Sequence, residues 1–169
     1  VIPGDGNVQW SQDGGANWRH VTGRLGRVNA VAFSPNFAHD QTAFAAAGMI
    51  GQHSLSEGGL YRSINNSATW TAVFNSPFYA FQTLTVSPDF AVDKTVWASA
   101  NSYSSAIGLF RSTNGGDTWV NVAPGRNINL LEVSPNYARD HTLFAGMADD
   151  GIHRSVDGGL TWTRVLNTA

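Results

Sequence analysis

One eight-residue frame, written four times, constrains this chain more than any other feature. It reads Ser11-Gln-Asp-Gly-Gly-Ala-Asn-Trp18, Ser63-Ile-Asn-Asn-Ser-Ala-Thr-Trp70, Ser112-Thr-Asn-Gly-Gly-Asp-Thr-Trp119 and Ser155-Val-Asp-Gly-Gly-Leu-Thr-Trp162. Four of the six tryptophans close these boxes, and the other two are Trp10 and Trp97. The closing tryptophans are 52 (18 to 70), 49 (70 to 119) and 43 (119 to 162) residues apart. Self-similarity at a period of a few tens of residues marks a repeat architecture, in which no unit buries its apolar face alone. A second motif falls between the boxes, running from Ser34-Pro-Asn-Phe to Ala45, from Ser87-Pro-Asp-Phe to Ala98 and from Ser134-Pro-Asn-Tyr to Ala145. Lengths that vary around this constant skeleton place the insertions in one kind of loop.

Each unit holds four short apolar runs separated by turn signals. In the first full unit they are Val28–Phe33, Thr42–Ala45, Gly59–Arg62 and Trp70–Phe74, and the later units repeat the pattern. Four strands of about five residues joined by tight turns form one meander sheet. One such sheet per 40 to 50 residues is the pattern of a β-propeller, with one unit per blade. The expected fold is all-β, within a single partial propeller domain over residues 1–169. Strands are lettered A to D in each blade. Residues 7–22 supply a half blade of strands C and D, and 27–74, 82–122 and 128–166 supply three whole blades. Three and a half blades do not close a ring of four to eight, so further blades from the same or another chain are expected.

Composition removes several classes of function. A net charge of −2, a single lysine (Lys94) and no basic stripe exclude an electrostatic case for nucleic acid. Without cysteine there is neither a disulfide framework nor a thiolate metal site. No apolar run approaches a membrane span. The chain begins at Val1, inside a repeat, which reads as processing, truncation or partial representation; a missing leader therefore says nothing about export. The histidines (His20, His39, His53, His141, His153) show no metal-ligand spacing, and no helix is expected to hold a pair of them, so no metal and no cofactor are expected. No Gly-rich loop leads from a strand into a helix to cradle phosphate. The sequon Asn65-Asn-Ser67 falls in a box turn.

The box has the chemistry of a C-to-D hairpin turn. Its Asp or Asn oxygen accepts backbone N–H groups across the turn, and the glycine that follows permits positive φ. Thr opens strand D, and the Trp ring buries a large area while its N–H finds an acceptor. The recurring structural positions of the frame are thus Ser11, Asp13, Gly15 and Trp18; Ser63, Asn65 and Trp70; Ser112, Asn114, Gly116 and Trp119; and Ser155, Asp157, Gly159 and Trp162. A calcium or catalytic carboxylate role would need charge, yet Asn65 and Asn114 fill two of the four acidic positions. Asn keeps the accepting oxygen and loses the charge, so hydrogen bonding is what the frame demands. Ser67 replaces glycine in the second box, at a strain of about 1 kcal/mol if it is left-handed.

These boxes resemble the BNR or Asp-box repeat of sialidases, sortilin, xyloglucanase-type hydrolases and the photosystem II stability/assembly factor family. The resemblance runs along the whole chain. It implies that the box is a structural hairpin at the propeller rim, away from a central active site. The Ser-Pro-x-Phe/Tyr-Ala-x-Asp companion is similar to a variant common in bacterial Asp-box proteins.

Two expectations follow for the blades. Antiparallel strands B and C bring Asp40, Asp93 and Asp140 near Arg62, Arg111 and Arg154 of their own blades, where an arginine fork on a carboxylate would staple each blade. The half blade carries Trp10 where the others carry arginine. In addition, the A–B and C–D turns share one face, so all the length variation falls on the opposite B–C/D–A face. Variable loops on a rigid scaffold are where recognition usually sits. The candidate binding residues there are His53, Tyr79, Tyr103, Arg126, Asp149 and Asp150, and the expected partner is a protein or a glycan.

Hydrolase chemistry has thin support in the sequence. Glycoside hydrolysis needs a positioned carboxylate pair, and the only glutamates are Glu57, in a long loop, and Glu132, in an inner strand. The repeat arginines sit beside boxes and do not converge on a centre. The expected function is therefore a non-catalytic interaction scaffold, exported and bacterial. The alternative is a portion of a carbohydrate-active propeller enzyme of sialidase or xyloglucanase type, with its catalytic groups in blades outside this chain.

Overall fold

The computed structural model describes residues 8–11, 13–20, 25–48, 58–76, 78–102, 104–148 and 150–166. Strands β1 (Gln9–Trp10) and β2 (Arg19–His20) form a two-stranded sheet. Three antiparallel four-stranded meanders follow. The first is β3 (Val28–Phe33), β4 (Ala43–Ala47), β5 (Gly59–Ser63) and β6 (Thr71–Asn75). The second is β7 (Ala80–Val86), β8 (Val96–Asn101), β9 (Ala106–Ser112) and β10 (Val120–Pro124). The third is β11 (Ile128–Val133), β12 (Leu143–Met147), β13 (Gly151–Ser155) and β14 (Thr163–Leu166). This is a β-propeller segment of about three and a half blades. Strand D starts one residue after the box Trp, not at the Thr before it, because the Trp still belongs to the turn.

The burial pattern follows the position of each blade in the stack. Strand β4 is buried at all five positions, because blade 1 is covered on both sides, by the half blade and by blade 2. Its alanines and Phe44 suit that double contact. Strand β13 alternates strictly, with Gly151, His153 and Ser155 buried and Ile152 and Arg154 exposed. One side of blade 3 packs on blade 2 and the other side is open. The core therefore lies in slabs between blades. One slab joins Val8, Leu25 and Val28 to Ala45 and Tyr61, and another joins Leu60 to Phe81, Ala98 and Phe110. The last joins Trp97 and Leu109 to Ile128, Leu131 and Leu143.

The second motif forms the A–B connection, and in each blade it holds one turn of helix: α1 (Phe37–Asp40), α2 (Phe90–Asp93) and α3 (Tyr137–Asp140). Ser34 Oγ donates to one oxygen of Asp40 and accepts from the Asn36 N–H, while the Thr42 N–H donates to the other Asp40 oxygen at 2.9 Å. Asp93 and Asp140 repeat the arrangement with Ser87 and Thr95, and with Ser134 and Thr142. Each helix stops at a left-handed residue, Gln41, Lys94 or His141, at φ of 52°, 53° and 47°. The carbonyl of that residue accepts the N–H of the fourth box residue in its own blade. The bonds are Asn66 to Gln41 (3.2 Å), Gly115 to Lys94 (2.9 Å) and Gly158 to His141 (3.1 Å).

The expected staples within blades do not form. Asp40, Asp93 and Asp140 are held by their own turns, and none of them pairs with Arg62, Arg111 or Arg154. Arg62 and Arg111 reach across the blade boundary instead. Arg62 donates to the Gly115 carbonyl and to Asp117, both at 2.7 Å, and Arg111 donates to the Gly158 carbonyl at 3.2 Å. The Trp97 indole joins the second of these, donating to Gly158 O at 3.1 Å. Ser99 Oγ to Ile128 O and Asn29 Nδ2 to Phe81 O add further ties between neighbouring blades.

Candidate functional site

The boxes are closed hydrogen-bond circuits. Ser155 Oγ donates to Asp157 Oδ1 at 2.7 Å and accepts the Gly159 N–H at 2.9 Å. The Thr161 N–H donates to Asp157 Oδ1 at 2.9 Å, and its hydroxyl donates to Oδ2. In the two Asn boxes the last bond reverses: Asn65 Nδ2 and Asn114 Nδ2 donate to Thr69 and Thr118 Oγ1 at 2.8 and 2.9 Å. A threonine hydroxyl serves as donor or acceptor, so Asp and Asn are interchangeable opposite it. In the first box Asn17 stands in place of Thr and donates from Nδ2 to Asp13 Oδ2 at 2.7 Å, a bond that an Asp accepts.

These bonds lower the acidic pKa values. At Asp157 burial pulls upward but is outweighed by the Thr161 hydroxyl and N–H, Ser155 and the Leu160 N–H, leaving a pKa of about 2. Asp13 is brought to about 2 by the Asn17 side chain and N–H and by Ser11. Asp140 is lowered by Ser134 and the Thr142 N–H. The Trp119 and Trp162 indoles donate to Gly116 O and Gly159 O at 3.0 Å. The second box lacks this bond. Ser67 sits at φ 63°, against 93° and 97° at Gly116 and Gly159, and both Trp70 Nε1 and Ser67 Oγ are buried without a partner.

Among the described residues, most carboxylates are committed to such local bonds. Asp13 and Asp157 serve boxes, Asp40, Asp93 and Asp140 serve A–B turns, and Asp117 pairs with Arg62. Asp89, at an A–B turn, and Glu132, on the open side of blade 3, stand apart on different blades. No group of three or more His, Asp or Glu is placed to hold a metal ion among the described residues.

On the B–C/D–A face, His53, Tyr103 and Asp149 lie outside the described residues, as does Glu57. Tyr79 is half-buried and stacks on Phe74 at 6.5 Å between ring centres, in a group completed by Phe81 and Phe110. Arg126 Nη1 rests on Met147 Sδ at 3.8 Å. Asp150 accepts from His153 Nε2 at 2.9 Å and from Arg164 at 3.2 Å, so it braces its own blade. No bond joins Tyr79, Arg126 and Asp150 to one another. Beside Tyr79, Phe78 leaves 73% of its surface to solvent, and sequence reasoning passed over it. Its signal was available: two consecutive aromatics in a loop whose neighbours are Ser76 and Pro77.

The fold and this face define a β-propeller segment with an aromatic, loop-built surface. No family model matches the chain. A xyloglucanase from a Paenibacillus species is 26% identical over 196 residues, which covers 95% of this chain and 18% of that enzyme. Among solved structures, an ancestral GH74 enzyme superposes with a TM-score of 0.72 at 20% identity, covering 98% of this chain and 22% of the enzyme. The GH74 xyloglucanase of Xanthomonas campestris gives 0.67 at 20% identity, covering 86% of this chain and 24% of its own. YCF48 bound to a D1 peptide gives 0.57 at 16% identity, covering 95% of this chain and half of that protein. At these identities the likeness shows a shared propeller fold, and the chain spans about a fifth of the xyloglucanases it matches.

Proposed function

We propose that this chain is part of a larger carbohydrate-active propeller, a glycoside hydrolase acting on a xyloglucan-like β-glucan, with its catalytic carboxylates supplied from beyond the described residues. The 26% identity to a xyloglucanase along 95% of the chain carries this reading. The carboxylate inventory supports the same division of labour, since hydrolysis needs two carboxyl groups held across one bond, most of the described ones are engaged in turns or ion pairs, and Asp89 and Glu132 lie on different blades. In this reading the boxes are clasps, and Phe78 with Tyr79 offers a flat apolar platform for a sugar ring on the B–C/D–A face. Such an enzyme works outside the cell, where its polymer is.

The complete polypeptide is expected to release reducing ends from xyloglucan, and Phe78→Ala to raise KM severalfold with little change in kcat. Absence of release from every β-glucan tried would refute the reading. The interaction-scaffold reading retains one observation, the similarity to YCF48 bound to a D1 peptide. It gains ground if the complete protein is inert on glucans but binds an extended peptide through the Phe78 face.

A further inference from the structure

The open side of blade 3 repeats, residue for residue, a seat that is filled twice elsewhere in the molecule. In the sheet registers Phe44 lies beside Arg62, Trp97 beside Arg111, and Phe144 beside Arg154. Phe44 and Trp97 are fully buried, and Phe144 is 43% exposed. Leu60 and Leu109 are buried at the positions where Ile152 is 40% exposed. Each filled seat receives the box of the following blade, whose fourth residue gives its carbonyl to the arginine. The fifth residue of that box is glycine because the seat leaves no space for a side chain. A Cβ on Gly116 would lie 2.9 Å from the Phe44 ring, and one on Gly159 would lie 3.0 Å from Leu109. On blade 3 the corresponding groove has a volume of about 440 Å³ and is lined by Glu132, Thr142, Phe144 and Arg154.

We propose that this groove is a docking site for one further complete propeller blade of the same design. Its box presents a fourth-residue carbonyl to Arg154 and a glycine at the fifth position against Phe144. The occupant is a whole blade because Leu130, on inner strand β11, is exposed as well, and inner strands pack on one another from blade to blade. Among the described residues the half blade offers only the short strands β1 and β2 with Gly14 and Gly15, whereas Leu130 lies on an inner strand; a second copy seated here would appear in the test below as a covalent dimer. The proposal rests on the chain being part of a larger propeller and stands whether or not that propeller is a hydrolase.

The test places the photoreactive p-benzoylphenylalanine at position 144 of the complete polypeptide, where it replaces a similar ring. The expected product is an intramolecular cross-link to the Gly-Gly turn of a box in the same molecule, mapped by mass spectrometry. A covalent dimer, a cross-link to an unrelated protein, or no cross-link would overturn the proposal. As an independent measurement, Arg154→Ala is expected to speed amide exchange in the covering box turn at least tenfold, and unchanged exchange there would remove the arginine latch. Xyloglucan hydrolysis assayed on the same samples separates the two readings, because a correct cross-link in an inert protein refutes only the hydrolase.

Discussion

Replacing Ser67 by glycine should stabilise the protein. Ser67 is the one fifth-position box residue that is not glycine, and its left-handed φ of 63° carries a strain of about 1 kcal/mol. Its hydroxyl is buried without a partner, a penalty of about 1–3 kcal/mol. The Trp70 indole beside it is also unpaired, whereas Trp119 and Trp162 donate to their fifth-position carbonyls at 3.0 Å. Glycine lets φ open toward the 93–97° of the other full-blade boxes and turns the carbonyl toward Trp70. Against this stand the backbone entropy of glycine, about 0.5–1 kcal/mol, and the loss of one buried carbon, about 0.8 kcal/mol. The net gain is about 1.5 kcal/mol, or a rise in Tm of about 3–6 °C in a chain of this size. Calorimetry and urea unfolding read it directly. Ser67→Ala, which removes the hydroxyl but keeps the left-handed Cβ, should gain less. If alanine matches glycine, the φ and indole argument fails, and if glycine lowers the Tm, the whole account of the second box fails.

Three further outcomes follow from the same geometry. Arg62→Ala should cost about 2 kcal/mol in urea unfolding, because it strips a charged donor from a half-buried carbonyl, whereas Asp117→Ala should cost under about 1 kcal/mol as the loss of an exposed ion pair; equal costs would mean the carbonyl is not the main partner. Asp157 has a folded pKa below its ordinary 3.8, so its contribution is complete above about pH 4 and is lost as pH falls through about 2. Discounted for exposure it is worth about 1 kcal/mol, and Asp157→Asn should flatten the fall in stability between pH 4 and 2, an unchanged slope counting against the assignment. Gly116→Ala meets both the Phe44 ring and a φ of 93°, and should lower stability by about 2–4 kcal/mol by the same melts.

The blades and boxes were readable in the sequence because their signals are local. Ser, Asx and Thr of a box bond one another within four residues, and strands end where glycines and the Ser-Pro motif say they end. The single-turn helices were not readable, since four residues carry no periodicity and their left-handed ends are Gln41, Lys94 and His141, none of them the glycine that signals such a stop. The arginine partners were misassigned for a different reason. Proximity within a hairpin named Asp40, Asp93 and Asp140, but those carboxylates were already satisfied by a serine and a threonine two to six residues away. The true acceptors are backbone carbonyls 53 and 47 residues downstream, and a carbonyl has no residue-type signature. On the B–C/D–A face, loop variability marked a surface without saying which side chains were already engaged. Asp150 proved to be tied to His153 and Arg164, and among the described residues of that face Phe78 proved to be a strongly exposed aromatic.

The two arginine latches, from Arg62 and from Arg111, both run from an earlier blade to the box of the next. During synthesis blades 1 and 2 therefore leave the ribosome with their arginine donors unmet, and each waits about 50 residues for the turn that accepts it, roughly 3–10 s at ordinary elongation rates. Of two such neighbours the later is the less secured until the next box arrives, and the boxes of blades 2 and 3 each lock the blade before them. A propeller wired in this direction assembles like a ratchet from its first blade toward its last, with nearest-neighbour coupling and no need for the ring to close before the early blades hold.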